Sequence, residues 1–260
     1  MTGTPGRRYR RGPRAAAAVL CVALAAVATG CSSTQTGTPH AAETTTADRP
    51  AVRPASPPAP SVAPTGAAPA APLTVAGLKP LLLRRSELAA IMGDTDMQQL
   101  QAFTEPHYTN IAITPTGCRA LAMPAETQVW SDSTTALVGD ANRGAGGRAA
   151  TQVVALMTSA AVAADAVTAI AATWQGQCPP GQPFTMDLAQ GPQQWNPGPV
   201  RTAGPPPRIS VSLTQADADR FCTHAYTAAN NVLIESLTCG PTDTAAQADT
   251  ILDRIAAQVH

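Results

Sequence analysis

Lysine is almost absent from this chain, Lys79 being the only one. Aromatic residues make up 3% of it, so an apolar core has to be built mainly from Ala, Val, Leu and Ile. No acidic residue precedes Glu43, whereas Arg7, Arg8, Arg10, Arg11 and Arg14 are all basic. Removing the first 30 residues leaves 12 basic against 17 acidic groups, a net charge of −5. Such a protein lacks the cations that neutralise phosphates, which argues against nucleic acid as a partner. No Gly-x-Ser-x-Gly elbow is present, and the glycines of 139–148 are not followed by the Gly-Lys-Ser/Thr of a phosphate loop. No two cysteines have the Cys-x-x-Cys spacing of a zinc site, and no Asn-x-Ser/Thr sequon occurs. Neither a metal, a cofactor nor a catalytic residue is expected.

The N-terminus carries a targeting pattern. Five arginines and no acid precede an apolar or small-residue run from Ala15 to Thr29. A basic region ahead of about 7–15 apolar residues is the form of a secretory signal peptide, and the run is short for a membrane span. Ala28-Thr29-Gly30-Cys31 resembles the lipobox of bacterial lipoproteins, with Ala28 in place of the usual Leu. That resemblance implies residues 1–30 as signal peptide and a lipid on the Cys31 sulfur, anchoring the protein to the outer face of the cell membrane. The competing reading is an ordinary signal peptide that leaves Cys31 as a free thiol. Residues 31–76 are rich in Pro, Ala and Thr and poor in large apolar side chains. A segment that cannot bury enough surface to offset its ordering entropy reads as a disordered tether.

Residues 77–260 read as one domain. Helical spacing places Leu88, Ile91 and Met92 on one side of 85–92, which ends at Gly93. The same spacing marks 160–175 behind Ser159, and 244–259 behind Asp243 or Thr244. Strand-like runs occupy 127–138, 148–157, 207–214, 220–229 and 232–239. Residues 176–206, rich in Pro, Gly and Gln, read mainly as loop with a short strand near Phe184. The fold class expected is α+β, a largely antiparallel sheet packed with about three helices.

The cysteines sharpen this. With Cys31 lipidated, Cys118, Cys178, Cys222 and Cys239 remain in an exported domain, and an even number implies two disulfides. Asn230-Asn231 lies between two strand-like runs, and Asn tolerates the positive φ of tight hairpin turns. With those two as the loop, Ala229 opposes Val232 and, counting outward, Cys222 opposes Cys239. Such a pair falls within disulfide reach, which leaves Cys118 to Cys178.

Several ordered landmarks carry a family resemblance. They are Leu-Leu-Leu-Arg-Arg-Ser-Glu-Leu-Ala-Ala-Ile-Met-Gly-Asp-Thr-Asp-Met (81–97), Trp174 followed by Cys178, and Cys222-Thr-His-Ala-Tyr-Thr-Ala-Ala-Asn-Asn-Val-Leu-Ile-Glu-Ser-Leu-Thr-Cys239. Together they resemble the extracellular sensor domain of the mycobacterial Ser/Thr kinase PknH, a domain that recurs in lipoproteins without a kinase. The resemblance implies an α+β fold with two disulfides, a ligand-type cleft, mycobacterial origin and no enzyme activity. Arg84 departs from the Ser or Thr that caps the first helix in the family. With no kinase domain in the sequence, a signalling role is expected to need a partner.

Individual side chains add little chemistry. His224 shares a hairpin face with Tyr226, Glu235 and Leu237, and a His224–Glu235 contact reads as a cross-strand polar pair rather than an acid–base couple. The ligand-binding candidates are His107 and Tyr108, in a loop after Pro106, and Trp195, read as an exposed aromatic in the Pro/Gly-rich stretch. The function expected is a non-enzymatic sensor or binding module for a small envelope ligand or protein partner. A structural or adaptor lipoprotein without small ligand is the alternative, and an envelope hydrolase a third reading.

Overall fold

The structure, a computed structural model, describes residues 71–259 except 108, 131 and 132. The signal peptide, Cys31, most of the tether and Tyr108 lie outside the described residues. Five α-helices and ten strands are found among those described.

Two short helices come first, α1 (Val75–Leu81) and α2 (Arg85–Met92). Gly93 ends α2 in the left-handed conformation, φ 64°, as expected of a C-terminal glycine. Arg84 offers α2 no side-chain cap, but Glu87 reaches back to the Arg84 N–H at 3.0 Å and supplies half of a capping box. Strands β1 (Met97–Phe103) and β2 (Ala112–Thr114) precede a 3₁₀ turn at Thr116–Cys118 and α3 (Arg119–Ala122). The hairpin β3 (Thr134–Gly144) and β4 (Ala149–Met157) leads into α4 (Ala160–Gln177), capped by Ser159 accepting from the Val162 N–H at 3.2 Å. Then follow β5 (Phe184–Leu188), β6 (Gly191–Pro197), β7 (Arg201–Ala203), β8 (Arg208–Gln215), β9 (Phe221–Ala229) and β10 (Val232–Gly240). Helix α5 (Ala245–Ala256) closes the domain.

All strands belong to one antiparallel sheet in the order β1-β3-β4-β10-β9-β8-β6-β5-β2, with β7 also on β8. The β9–β10 register is the one required by an Asn230-Asn231 turn: Ala229 opposes Val232, and Cys222 opposes Cys239. Asn230 takes φ 48°. Both expected disulfides are present, Cys222–Cys239 and Cys118–Cys178.

Both faces of the central strands are covered, so β4 and β10 read as nearly continuous buried runs. On one face α1, α2 and α5 pack Leu78, Leu88, Met92, Ile251, Leu252 and Ile255 against Val154, Val232 and Ile234. Gln152 fixes the α1–α2 link there, its carboxamide bonded both ways to the Leu83 backbone, at 2.9 and 2.8 Å. On the other face α4 and the Cys118–Trp130 segment cover Val153, Tyr226, Ile209 and Val211.

Two expectations are corrected. The strand expected over 127–138 begins only at Thr134, because Ala125 and Glu126 are held in an irregular segment by buried polar contacts described below. The stretch 176–206 is not mainly loop but contributes β5, β6 and β7. Its Pro192 and Pro197 sit at strand ends, where loss of an N–H costs little.

Candidate functional site

A cavity of about 500 Å³ opens where helix α4 stops covering its face of the sheet. The register shows how it arises. Arg143 aligns across the strands with Ala149, Cys239, Cys222 and Leu213, and one step inward Thr151 aligns with Leu237, His224 and Val211. Of the inner positions, His224 and Val211 are covered by α3 and α4, whereas Thr151 and Leu237 still reach the cavity. The outer ones are left open, and Cys239, Cys222, Leu213 and Leu237 form the cavity floor.

Two walls rise from that floor. One is the β5–β6 hairpin, which presents Met186, Leu188, Gln193 and Trp195. The other is the end of α3 with Ala122, Met123 and Pro124. A few polar groups converge on this mostly apolar lining: Arg143, Thr151, Gln190, Gln193 and Arg220. Apolar walls with a few placed polar groups are the usual make-up of a small-molecule site, and the volume lies within the usual range.

The α3 wall is irregular backbone, and a buried polar network positions it. The His224 ring reaches the Leu121 carbonyl through Nδ1 at 2.8 Å and Glu235 Oε1 through Nε2 at 2.7 Å. Glu235 in turn accepts from the Ala125 N–H at 3.2 and 3.1 Å. Arg119 pairs with Glu126, Nε to Oε2 2.9 Å, donates to the Ile111 carbonyl at 2.8 Å and also to the Thr109 carbonyl. All four charged or titratable side chains are buried, His224, Glu126 and Glu235 completely. Buried groups of this kind must be satisfied to be tolerated, and here their partners are the backbone groups of the wall. Cys118–Cys178 ties the same segment to the end of α4.

Tyr226 completes the cluster. Its ring stands 5.1 Å from the His224 ring and 5.6 Å from Trp174. Burial first, and then the neighbouring Glu235 charge, hold the phenol far above the usual tyrosine range. Arg220, at the cavity, is half-buried, and its guanidinium donates to the Gly147 carbonyl at 3.1 Å. Desolvation, and then the like charge of Arg143, push it below the usual arginine range.

The sequence candidates are distributed unevenly over this site. Trp195 lines the cavity, yet it is 5% exposed and sits in β6, not exposed in a loop. The Gly/Pro content of its segment signals a loop, but Gly191 and Pro197 are the ends of a paired strand. His107 packs against Phe103, ring centroids 4.9 Å apart, and bridges to Glu126 outside the cavity lining. His224 and Glu235 meet as the shared hairpin face implied, and as a buried structural contact. Arg143 and Arg220 stand 77 positions apart and belong to no motif. Arg143 comes level with the Cys222–Cys239 pair only through the β3–β4 and β4–β10 pairings together, the second of which no local sequence signal gives. No helix among the described residues is long and apolar enough to cross a membrane.

Comparison with known proteins gives a consistent result. A family profile described as the PknH-like extracellular domain matches residues 73–258. The crystal structure of the extracellular domain of PknH from Mycobacterium tuberculosis is similar, with a TM-score of 0.66 and 26% identity over 73% of this chain and 97% of that one. A putative uncharacterized protein from Mycobacterium smegmatis aligns at 10% identity over 68% of this chain and 96% of that chain, with a TM-score of only 0.32. Among curated proteins none matches the chain.

Proposed function

Because the chain belongs to the PknH-like extracellular domain family, we propose that it is an extracytoplasmic sensor or binding module, held at the outer face of the cell membrane by a lipid on Cys31, that takes a small envelope ligand in the cleft between β5–β6 and α3. The observation that carries this reading is the cleft itself: an open cavity of about 500 Å³ with apolar walls, convergent polar groups and a wall braced by a buried network. A non-catalytic role is favoured by the engagement of His224 and Glu235. These acid–base-capable groups adjoin the cavity floor in register but are fully buried, and both are bonded to backbone of the wall.

The test is native mass spectrometry on the full chain carrying Cys31→Ser, incubated with a mycobacterial envelope extract, with the melting temperature followed in parallel. A discrete retained mass with a raised melting temperature is expected, since a ligand that binds only the folded state stabilises it. No adduct and no shift would replace this reading with that of an adaptor lipoprotein. The anchor is tested separately, by mass spectrometry of the wild-type N-terminal peptide: a diacylated Cys31 supports it, and an unmodified thiol overturns it.

A further inference from the structure

The cleft lining contains two cations and no carboxylate, in a chain whose acids outnumber its bases once the first 30 residues are set aside. Arg143 and Arg220 line the same cavity, and the charge of Arg143 acts on Arg220. Neither forms an ion pair among the described residues; Arg220 has instead the carbonyl of Gly147, in the β3–β4 turn, as its hydrogen-bond partner. Elsewhere in the domain Arg208 pairs with Asp249 and Asp253, Arg84 with Glu87, and the buried Arg119 with Glu126. Two like charges drawn together without an intervening anion repel, and partial burial of one of them raises that cost. Beyond them the lining is mostly apolar, with Leu213, Leu237, Trp195, Met186 and the Cys222–Cys239 pair, and its other polar side chains are the uncharged Thr151, Gln190 and Gln193.

We infer that the cleft selects a small amphiphile with one anionic head group, a carboxylate or a phosphate, seated between Arg143 and Arg220 with its apolar body along Leu213, Leu237 and Trp195. The inference rests on the binding reading given above and names the ligand class for the same site. A guanidinium presents a planar fork that fits carboxylate and phosphate oxygens in pairs, and two such forks distinguish an anion from a neutral head of equal size. The apolar body accounts for the part of the cavity that the arginines do not reach.

The test is isothermal titration of the full chain carrying Cys31→Ser with four probes below their micelle concentrations: dodecanoate, dodecyl phosphate, dodecanol and dodecylamine. The expected result is one-to-one binding of at least one anionic probe, about tenfold or more tighter than dodecanol, with no binding of dodecylamine. Arg220→Gln and Arg143→Gln each reduce the preference for the anion over dodecanol by about tenfold, and added salt weakens the anion selectively. Whichever anion binds more tightly identifies the head group. Should Arg220→Gln unfold the protein through loss of its Gly147 contact, exposed Arg143 still decides the matter. Dodecanol binding as tightly as dodecanoate would overturn the charge inference and leave the cleft reading standing. Silence from all four probes, with an adduct from the envelope extract, would do the same. Silence from the probes and from the extract would remove both.

Discussion

The two faces of the sheet are built from different materials. The face under α1, α2 and α5 is packed with Leu, Ile, Val, Met and Ala, and no aromatic side chain belongs to its core. The opposite face holds Trp130, Trp174, Trp195, Phe103, Phe184 and Tyr226, both disulfides and every fully buried ionisable group. Of the seven Phe, Trp and Tyr side chains among the described residues, six therefore belong to this one side. The aliphatic face serves folding, and the cavity of about 500 Å³ on it, at the α1–α2 link, is lined mostly by polar and charged side chains such as Lys79, Arg84, Arg85 and Asp140. The mixed face carries irregular segments that packing alone does not fix, and it is there that the cleft opens. The comparison shows where specificity was put: the side with costly buried ionisable groups is also the side with a wall to hold in place.

That comparison can be broken in several ways. The largest effect is expected from removing Cys118–Cys178 by paired Ala substitution, which should lower stability by about 4 kcal/mol in the chain-entropy treatment, against about 3 for Cys222–Cys239. Urea denaturation of the two double variants checks the order, and a larger loss from the hairpin pair would refute it. Next come two substitutions of similar cost and different consequence. Leu252→Ala, on the aliphatic face, should cost about 3 kcal/mol and leave ligand affinity unchanged. Glu235→Ala should cost about 3 kcal/mol, since it leaves His224 and the Ala125 N–H without their partner, and it should also weaken binding in the cleft. Equal affinities for the two variants would show that the network does not position the wall.

The smallest effect concerns Tyr226. Its folded-state pKa is raised above the unfolded value, so its contribution is fully present below about pH 10 and is lost as the pH rises beyond that. Tyr226→Phe should change stability at neutral pH by about 1 kcal/mol, because the hydroxyl's contact with Glu235 falls short of a well-aligned hydrogen bond. It should also flatten the alkaline fall of the melting temperature above pH 10. A fall as steep as that of the wild type would assign it to other groups.

Much of the aliphatic face was legible in the sequence, because its determinants are local. Leu88 and Met92, or Ile251, Leu252 and Ile255, repeat at helical spacing and need no distant partner to be recognised. The β9–β10 hairpin was legible for the same reason: the Asn-Asn turn fixes its register, and the register fixes the disulfide. The mixed face was less so. Strand β6 carries Gly191, Pro192 and Pro197, which locally read as a loop, and its pairing with β5 and β8 is what overrides that signal. Strand β1 reads Met-Gln-Gln-Leu-Gln-Ala-Phe, a polar edge with no alternation to detect. The Arg143–Arg220 approach depends on the β3–β4 turn folding back toward the start of β9, which no local spacing encodes.

The chain joins the folded part at the Asn230-Asn231 turn. Asn231 receives the Leu73 N–H on its Oδ1 at 2.7 Å and donates to the Leu73 carbonyl at 3.2 Å, and Asn230 donates to the Ala71 carbonyl at 2.8 Å. The cleft floor at Cys222–Cys239 lies at the other end of the same hairpin, about 26 Å away for eight extended residues. Traction between the N-terminal chain and anything seated at the cleft would therefore run lengthwise down β9 and β10. Strands loaded in that direction share the strain over a whole ladder of hydrogen bonds, and the first links to yield would be the two asparagine carboxamides. The hairpin would act as a strut and the asparagines as its weak coupling, after whose loss the load would pass to α1, which is seated by Leu78 and Leu81.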